Sequence, residues 1–342
     1  MTVATDIGID LGSSKTVIFS SAKVILEQPS VVTVDAETWE PVYFGEKAKQ
    51  TIGRTPESLV CVHPIEHGVI ADYGIAELML KNYMQQAFGN RIVRPRIMAT
   101  LPSGLTELQH HSLFNVVESG GGRNISVIEG PLAVAFGLGI DFSVPHGTLI
   151  VDIGAGTTDI SVISLGGIAV CDSFKTASYD FDAQIARYIR KEYNIEIGDL
   201  MAEQIKKQVG TVVERDIEVT MLAKGRNVFT GLPESFAFTS TEVYEAIRET
   251  ADTICNAVRT VLLRTDPDLV ADITQDGLYL TGGGALIYGM AERLAEYTGV
   301  EVHLLDDPTH SVVRGAATAL KKPELLKNVN YQLRSIKELT VE

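Results

Sequence analysis

The chain has 342 residues, of which 45% are hydrophobic and 21% charged, with 29 Lys and Arg against 44 Asp and Glu for a formal net charge of −15. That length suits about two domains, and the apolar content excludes disorder as the main state. The acidic balance argues against nucleic acid as a partner and against a polybasic membrane anchor, since both need basic side chains facing phosphates.

The stretch 1–10 contains Asp6 and Asp10 but no Lys or Arg, unlike a secretory signal. A β-rich run at Ile7 to Ile9 enters Asp10-Leu11-Gly12-Ser13-Ser14-Lys15 and leaves through Val17-Ile18-Phe19, which predicts a β-hairpin. A strand over 29–34 and a turn over 36–41 follow. Apolar spacing predicts a helix over 72–88, then a strand over 97–101 ending in a Pro-Ser-Gly turn. Thr106 is placed to cap a helix reaching 118. A strand over 124–128 leads to an apolar helix over 131–138. The break at Pro145-His146-Gly147 separates the halves.

The second half begins with strands over 148–163 and 167–174. Helices over 181–193 and 202–210, a strand-rich insert over 217–239 and a long helix over 241–264 come next. An apolar strand at Leu278 to Leu280 precedes Gly282-Gly283-Gly284 and a helix from about 286 to 297. Alternating strands and helices predict an α/β fold. Cys61, Cys171 and Cys255 are far apart and odd in number, which suggests free thiols in a reducing compartment. The seven histidines show no metal-ligand spacing and are expected at solvent or core positions. No apolar run reaches the roughly 18 residues of a spanning helix, so a cytoplasmic address is expected.

One internal match carries chemistry. Val151-Asp152-Ile153-Gly154-Ala155-Gly156-Thr157-Thr158-Asp159 repeats the pattern of Ile9 to Thr16: strand, Asp, apolar residue, Gly, small residues, strand. Such turns let the backbone approach a ligand, and their N–H groups and hydroxyls form an anion nest. An Asp at the strand end repels phosphate directly but can hold it through a divalent cation such as Mg²⁺. A single hairpin of this kind is commonly only a polar turn. Two copies, each near the start of half the chain, point to one phosphate ligand in a cleft between two duplicated halves. The segment Gly282 to Gly284, between a strand and a predicted helix, fits a helix N-terminus offered to a nucleotide, or simple helix-on-sheet packing.

Two Asp-x-Gly hairpins with a Gly-Gly-Gly element resemble the actin, heat-shock chaperone and sugar-kinase ATPase superfamily. Within it the chain resembles the MreB family of bacterial actins. The matching stretches include Gln28-Pro29-Ser30-Val31-Val32, Gly53-Arg54-Thr55-Pro56, Leu101-Pro102-Ser103-Gly104, Thr230-Gly231-Leu232-Pro233 and Leu280-Thr281-Gly282-Gly283-Gly284-Ala285. The resemblance implies an actin-like fold of two α/β halves, 1–145 and 146–342, with smaller subdomains at about 31–68 and 182–242. It implies an ATP-binding protein that polymerises into homopolymeric filaments. Those filaments would lie on the inner face of the plasma membrane with cell-wall elongation proteins and organise rod shape.

By position, Asp10, Gly12, Ser13 and Ser14 would meet the phosphates from one side, and Asp152, Gly154, Ala155, Gly156 and Thr157 from the other. Asp10 and Asp152 would organise Mg²⁺ through water. Glu203 and Lys206 match the family's ribose and base contacts, and Gly283, Gly284 and Leu286 would flank the adenosine. Lys15 either adds positive charge beside the phosphates or is a solvated side chain at the turn.

Three departures stand out. The family's Ile-Glu-Glu-Pro is Ile128-Glu129-Gly130-Pro131 here, so the Glu that helps position the attacking water is Gly130. Slowed hydrolysis with largely intact binding is the expectation. Glu129 is a candidate substitute, although neighbouring strand residues face opposite ways; Thr157 and Thr158 remain to hold the water. Ala177-Ser178-Tyr179 stands for the family's Ala-Gly-Asp, which alters the ribose region. Finally, Ile92 and Val93, between Arg91 and Arg94, align with the family's apolar insertion loop and are expected to enter the membrane interface, the alternative being the start of the strand through Ile97. A small-molecule kinase, a chaperone-like ATPase and a magnetosome or plasmid-segregating actin are the rival readings.

Overall fold

The two halves of the chain build the same five-stranded sheet twice. The computed structural model describes residues 6–20, 23–89, 95–141 and 144–321. The first sheet runs Arg123–Glu129, Arg96–Leu101, Asp6–Leu11, Lys15–Ser20, Lys23–Pro29. The second runs Val302–Leu304, Leu278–Thr281, Thr148–Ile153, Thr158–Ser164, Gly167–Phe174. In each, the first three strands in sequence form an antiparallel meander, and two later strands add in parallel beside the first. Even an irregularity is shared: the second and third strands slip register at Ile18/Phe19 and at Val162/Ile163. Ile7, Ile9, Val151 and Ile153 are fully buried, as expected of strands covered on both faces.

Side-chain caps start the helices where the sequence places them. Asp72 accepts from the Ile75 N–H at 2.9 Å to open Tyr73–Phe88. Thr106 with Gln109, and Thr239 with Glu242, form reciprocal capping boxes at Glu107–Ser119 and Ser240–Arg264. Two further sheets of three strands sit apart from the main ones. One joins Pro41–Phe44, Val32–Asp35 and Leu59–Val62; the other joins Ile195–Glu196, Thr220–Asn227 and Pro233–Thr239.

Two segments differ from the sequence expectation. The stretch 29–34 is not one strand. Lys23–Pro29 ends at the proline, and the chain turns through Ser30, whose N–H donates to the Ser14 carbonyl at 2.9 Å, before Val32–Asp35 begins. The helix expected over 286–297 is split. A single 3₁₀ turn spans Gly283–Leu286, Ile287 is extended, and Gly289 sits at φ 84 before the helix Met290–Thr298.

The helix Ser311–Lys321 was not anticipated and is central. It packs on Asp6–Leu11, Lys15–Ser20, Arg96–Leu101 and the helix Gly130–Leu138. Ala316, Ala319 and Leu320 there join Met98, Leu132, Ile150 and Ile163 in one core that ties the two sheets together. A segment late in the chain thus completes the packing of the first sheet.

Candidate functional site

Both hairpin turns open into one cleft of about 960 Å³ between the halves. Their backbones match. The Gly12 N–H donates to the Lys15 carbonyl at 3.1 Å, and the Gly154 N–H donates to the Thr157 carbonyl at 2.8 Å. The turns nearly touch: a Cβ added to Gly156 would lie 2.9 Å from Ser13 Oγ. Between them sits the tight turn His67-Gly68, with φ of 46 and 72. Two positive φ values suit a two-residue hairpin loop, and strained backbone of this kind is commonly held at functional sites. His67 Nδ1 lies 2.9 Å from the Gly156 carbonyl, and the Gly68 N–H donates to Ser13 Oγ at 3.1 Å. His67 is exposed, as expected for these histidines, and through His67 and Gly68 this turn contacts both hairpin turns.

Asp10 and Asp152 face this cleft from the two sheets. Thr100 Oγ1 donates to Asp10 Oδ1 at 2.7 Å, a partner supplied by the neighbouring parallel strand. Asp152 stands directly across the strand pair from Asp159, a residue that sequence reasoning had not assigned. Asp159 Oδ2 accepts from Thr157 Oγ1 at 3.1 Å, while its Oδ1 is buried without a hydrogen bond. Burial pushes all three carboxyls up. Asp152 stands well above the usual range, with Asp159 and Asp10 adding to burial, and Asp159 is pushed up to about 6, against the pull of Ser173, Thr157 and the Ser103 backbone.

Asp159 is buried and Asp10 and Asp152 are half-buried around one cleft, an acidic group that fits a divalent cation arriving with a ligand. Among the described residues no three His, Cys, Asp or Glu side chains are grouped to ligate a metal directly. The donor set therefore fits Mg²⁺ held through water and ligand oxygens, rather than in an all-protein cage. Gly282 makes the close approach to this centre possible. At φ 89, any Cβ there would lie 2.2 Å from the Ile153 carbonyl and 2.3 Å from Asp152 Oδ1.

The burial of Asp159 has a pH signature. Its folded-state pKa of about 6 exceeds the ordinary 3.8, so between these values the folded state binds more protons than the unfolded. Stability contributed by this group is present at low pH and is lost as pH rises through about 4 to 6, by at most about 3 kcal/mol. Asp159→Asn should therefore raise the denaturation midpoint of the nucleotide-free protein at pH 7.5 and change it little at pH 4. Equal effects at both pH values would contradict this. Glu27 and Glu203 are held low by their lysine partners and shift in the opposite sense, so the comparison is variant against parent at each pH.

The remaining sequence candidates divide. Gly12, Ser13, Ser14, Lys15, Gly154, Ala155, Gly156, Thr157, Glu203, Lys206, Gly283, Gly284 and Leu286 all line the cleft. Lys15 pairs with Glu27 at 2.5 Å, and Glu27 also meets His310 Nε2 at 3.0 Å. Glu203 reaches across the mouth to Lys49 at 2.8 Å and also binds Lys207. Lys206 donates to Asp182 at 2.6 Å and to the Ser178 hydroxyl and carbonyl at 2.7 and 2.9 Å. A nucleotide contact from that ammonium requires it to surrender one of these three bonds.

Thr158 and Glu129 fall outside the lining. The Thr158 hydroxyl is buried and donates to the Thr176 carbonyl at 2.8 Å. Glu129 lies near Cys171, whose thiol is pushed up by burial and then by the Glu129 charge. It is not among the residues that line the cleft, whereas Gly130 is. Tyr179 crosses the cleft: its hydroxyl donates to the Ser13 carbonyl at 3.3 Å. Ile92 and Val93 lie outside the described residues.

The chain is similar to known proteins over nearly its whole length. A model described as MreB/Mbl protein matches residues 4–328. The cell shape-determining protein Mbl of Bacillus subtilis is 38% identical over 325 residues, covering 94% of this chain and 98% of that protein. The cell shape-determining protein MreB of Escherichia coli K12 is 35% identical, covering 93% and 94%. MreB5 of Spiroplasma citri bound to ADP superimposes with a TM-score of 0.88 at 32% identity, covering 94% of this chain and 98% of that one. A MamK double helical filament at 22% identity and TM-score 0.78 shares the fold. With the duplicated sheets, the paired hairpins and a family match across nearly the whole chain, this actin-like protein belongs to the MreB/Mbl family.

Proposed function

We propose that the protein is a nucleotide-driven filament former of the cell shape-determining type. It binds ATP in the cleft, polymerises with copies of itself, and works at the cytoplasmic face of the plasma membrane with cell-wall elongation proteins. The observation that carries this reading is the pair of matched Asp-x-Gly turns facing one cleft, in a chain of this family. Spiroplasma citri MreB5 has been solved with ADP and with AMPPNP. Backbone N–H groups of the two turns cradle phosphate, and Ser13, Ser14 and Thr157 add hydroxyls. Asp10 and Asp152 would hold Mg²⁺ through water, where it would neutralise charge between the phosphates and the acids.

ATP hydrolysis serves as the timer. Thr157 and Asp159 hold the attacking water, and Gly130 contributes no side chain to that task. The timer is therefore slow, while binding is retained. High-speed pelleting tests the reading: the protein should sediment with Mg-ATP and remain in the supernatant without nucleotide. Equal sedimentation in both would contradict it.

Among the described residues no helix is long and apolar enough to cross a membrane. Membrane contact is assigned to Ile92 and Val93 on the sequence argument, with Arg91 and Arg94 meeting lipid phosphates. Ile92→Ser with Val93→Ser should reduce liposome co-sedimentation several-fold, because interfacial affinity scales with buried apolar area. Nucleotide binding should be unchanged. Equal pelleting of variant and parent would sink this assignment.

A further inference from the structure

Five basic side chains line the cleft among the described residues: Lys15, Lys49, Lys206, Lys207 and Arg215. Four are paired with carboxylates, namely Glu27, Glu203, Asp182 and again Glu203. Arg215 has no such partner. In a chain of net charge −15, an unpaired guanidinium in a cleft is conspicuous. Its surroundings are specific. The guanidinium carbon lies 4.0 Å from the centre of the Tyr288 ring. Nη2 donates to the Gly210 carbonyl at 2.9 Å, and Nε is buried without an acceptor. A ring and one carbonyl therefore hold the group, leaving a flat cationic surface.

The backbone around it is pinned. Thr211 pairs with Tyr288 in a parallel bridge, and the Val212 N–H donates to the Tyr288 carbonyl at 3.0 Å. Arg293 Nη1 donates to the Val212 carbonyl at 2.6 Å from behind. Leu286 and Tyr288 are 57% and 53% exposed and give the cleft an apolar lining here. The segment runs outward from Gly282, beside Asp152, to Tyr288, beside Arg215. Arg215 is thus placed toward the end of the cleft away from the acids.

We propose that Arg215 and Tyr288 form the platform on which the nucleobase stacks, and that this platform gives the protein its preference for purine over pyrimidine nucleotides. The proposal rests on the nucleotide reading of the cleft. A guanidinium laid on an aromatic ring offers a π-like cationic face, and stacking on such faces rewards ring area rather than donor pattern. Arg suits this role and Lys does not, since an ammonium is a point charge without a plane.

Calorimetric titration with ADP, CDP and inorganic pyrophosphate, each with Mg²⁺, tests it on the full chain. The parent should bind ADP several-fold tighter than CDP, the difference in stacking between a two-ring and a one-ring base. Arg215→Ala should lose about tenfold on ADP, the scale of one base stack, less on CDP, and nothing on pyrophosphate. Arg215→Lys should resemble Arg215→Ala, and Tyr288→Phe should resemble the parent. Unchanged melting temperatures exclude misfolding, and the pyrophosphate titration reads site integrity independently. An ADP-to-CDP ratio unaltered in Arg215→Ala would overturn the platform alone. So would full rescue by Arg215→Lys, which would mean that a point charge suffices. A parent that binds none of the three ligands would overturn the nucleotide reading and the platform with it.

Discussion

Replacing Gly130 with glutamate should raise the rate of ATP hydrolysis by roughly 100-fold, the lower end for a well-placed polar group acting on the attacking water. The site has room for it. A Cβ at Gly130 would meet only Val312 Cγ1 at 3.6 Å and the Leu101 carbonyl at 3.7 Å, both ordinary contacts. Gly130 opens the helix Gly130–Leu138, and it lines the cleft with Leu101 and Val312. The new carboxylate would enter a region already holding Asp10, Asp152 and Asp159, so the nucleotide-free variant should be less stable than the parent. Gly130→Ala is the control: it adds the Cβ without the polar group and should leave the rate unchanged. Phosphate release measured over one turnover distinguishes these outcomes. A Gly130→Glu rate equal to that of Gly130→Ala would show that the missing side chain is not what limits hydrolysis.

Gly315→Ala should cost about 3 kcal/mol or more, or prevent folding, a cost at the upper end for overpacking a core. At this position the helix Ser311–Lys321 crosses Gly130–Leu138 so closely that a Cβ would lie 1.8 Å from the Ala133 carbonyl and 2.4 Å from its carbon. The obstacle is backbone rather than a movable side chain, so the helices must separate. The same crossing brings Gly137 against Gly315, with an added Cβ 3.3 Å from the Gly315 Cα. Because Gly130–Leu138 starts in the cleft, separation there should also weaken nucleotide binding. Gly198→Ala is the contrast: nothing lies within 4 Å of that Cβ, and its cost should stay below about 1 kcal/mol. Urea midpoints for the two variants give the comparison. A Gly315→Ala midpoint within error of the parent would mean that the crossing is looser than described.

The parts of the site legible in the sequence are those built from short contiguous turns. The two Asp-x-Gly hairpins declare themselves because a tight turn and its small residues are local, and because the pattern occurs twice. Asp159 was within reach of the same logic, since hairpin register places it opposite Asp152. It went unassigned because the motif draws attention to the turn rather than to the returning strand. Thr100 depends on a parallel pairing between strands far apart in sequence, and Tyr179 on two halves meeting across a cleft. No local pattern reports either. The helix Ser311–Lys321 shows the same limit at the level of fold. Its apolar face matches surfaces contributed by strands near the start of the chain, and only the closed structure brings them together. The expected helix at 286–297 failed for a local reason, the positive φ of Gly289.

The central claim is that nucleotide in the cleft drives assembly of this chain into filaments. Electron microscopy of the purified protein with Mg-ATP, with a non-hydrolysable analogue, and without nucleotide tests it most directly. The account predicts filaments in the first two conditions and none in the third. It further predicts that filaments formed with Mg-ATP persist nearly as long as those formed with the analogue, because Gly130 leaves the timer slow. Filaments of equal abundance without nucleotide, or none in any condition even on a lipid monolayer, would contradict it.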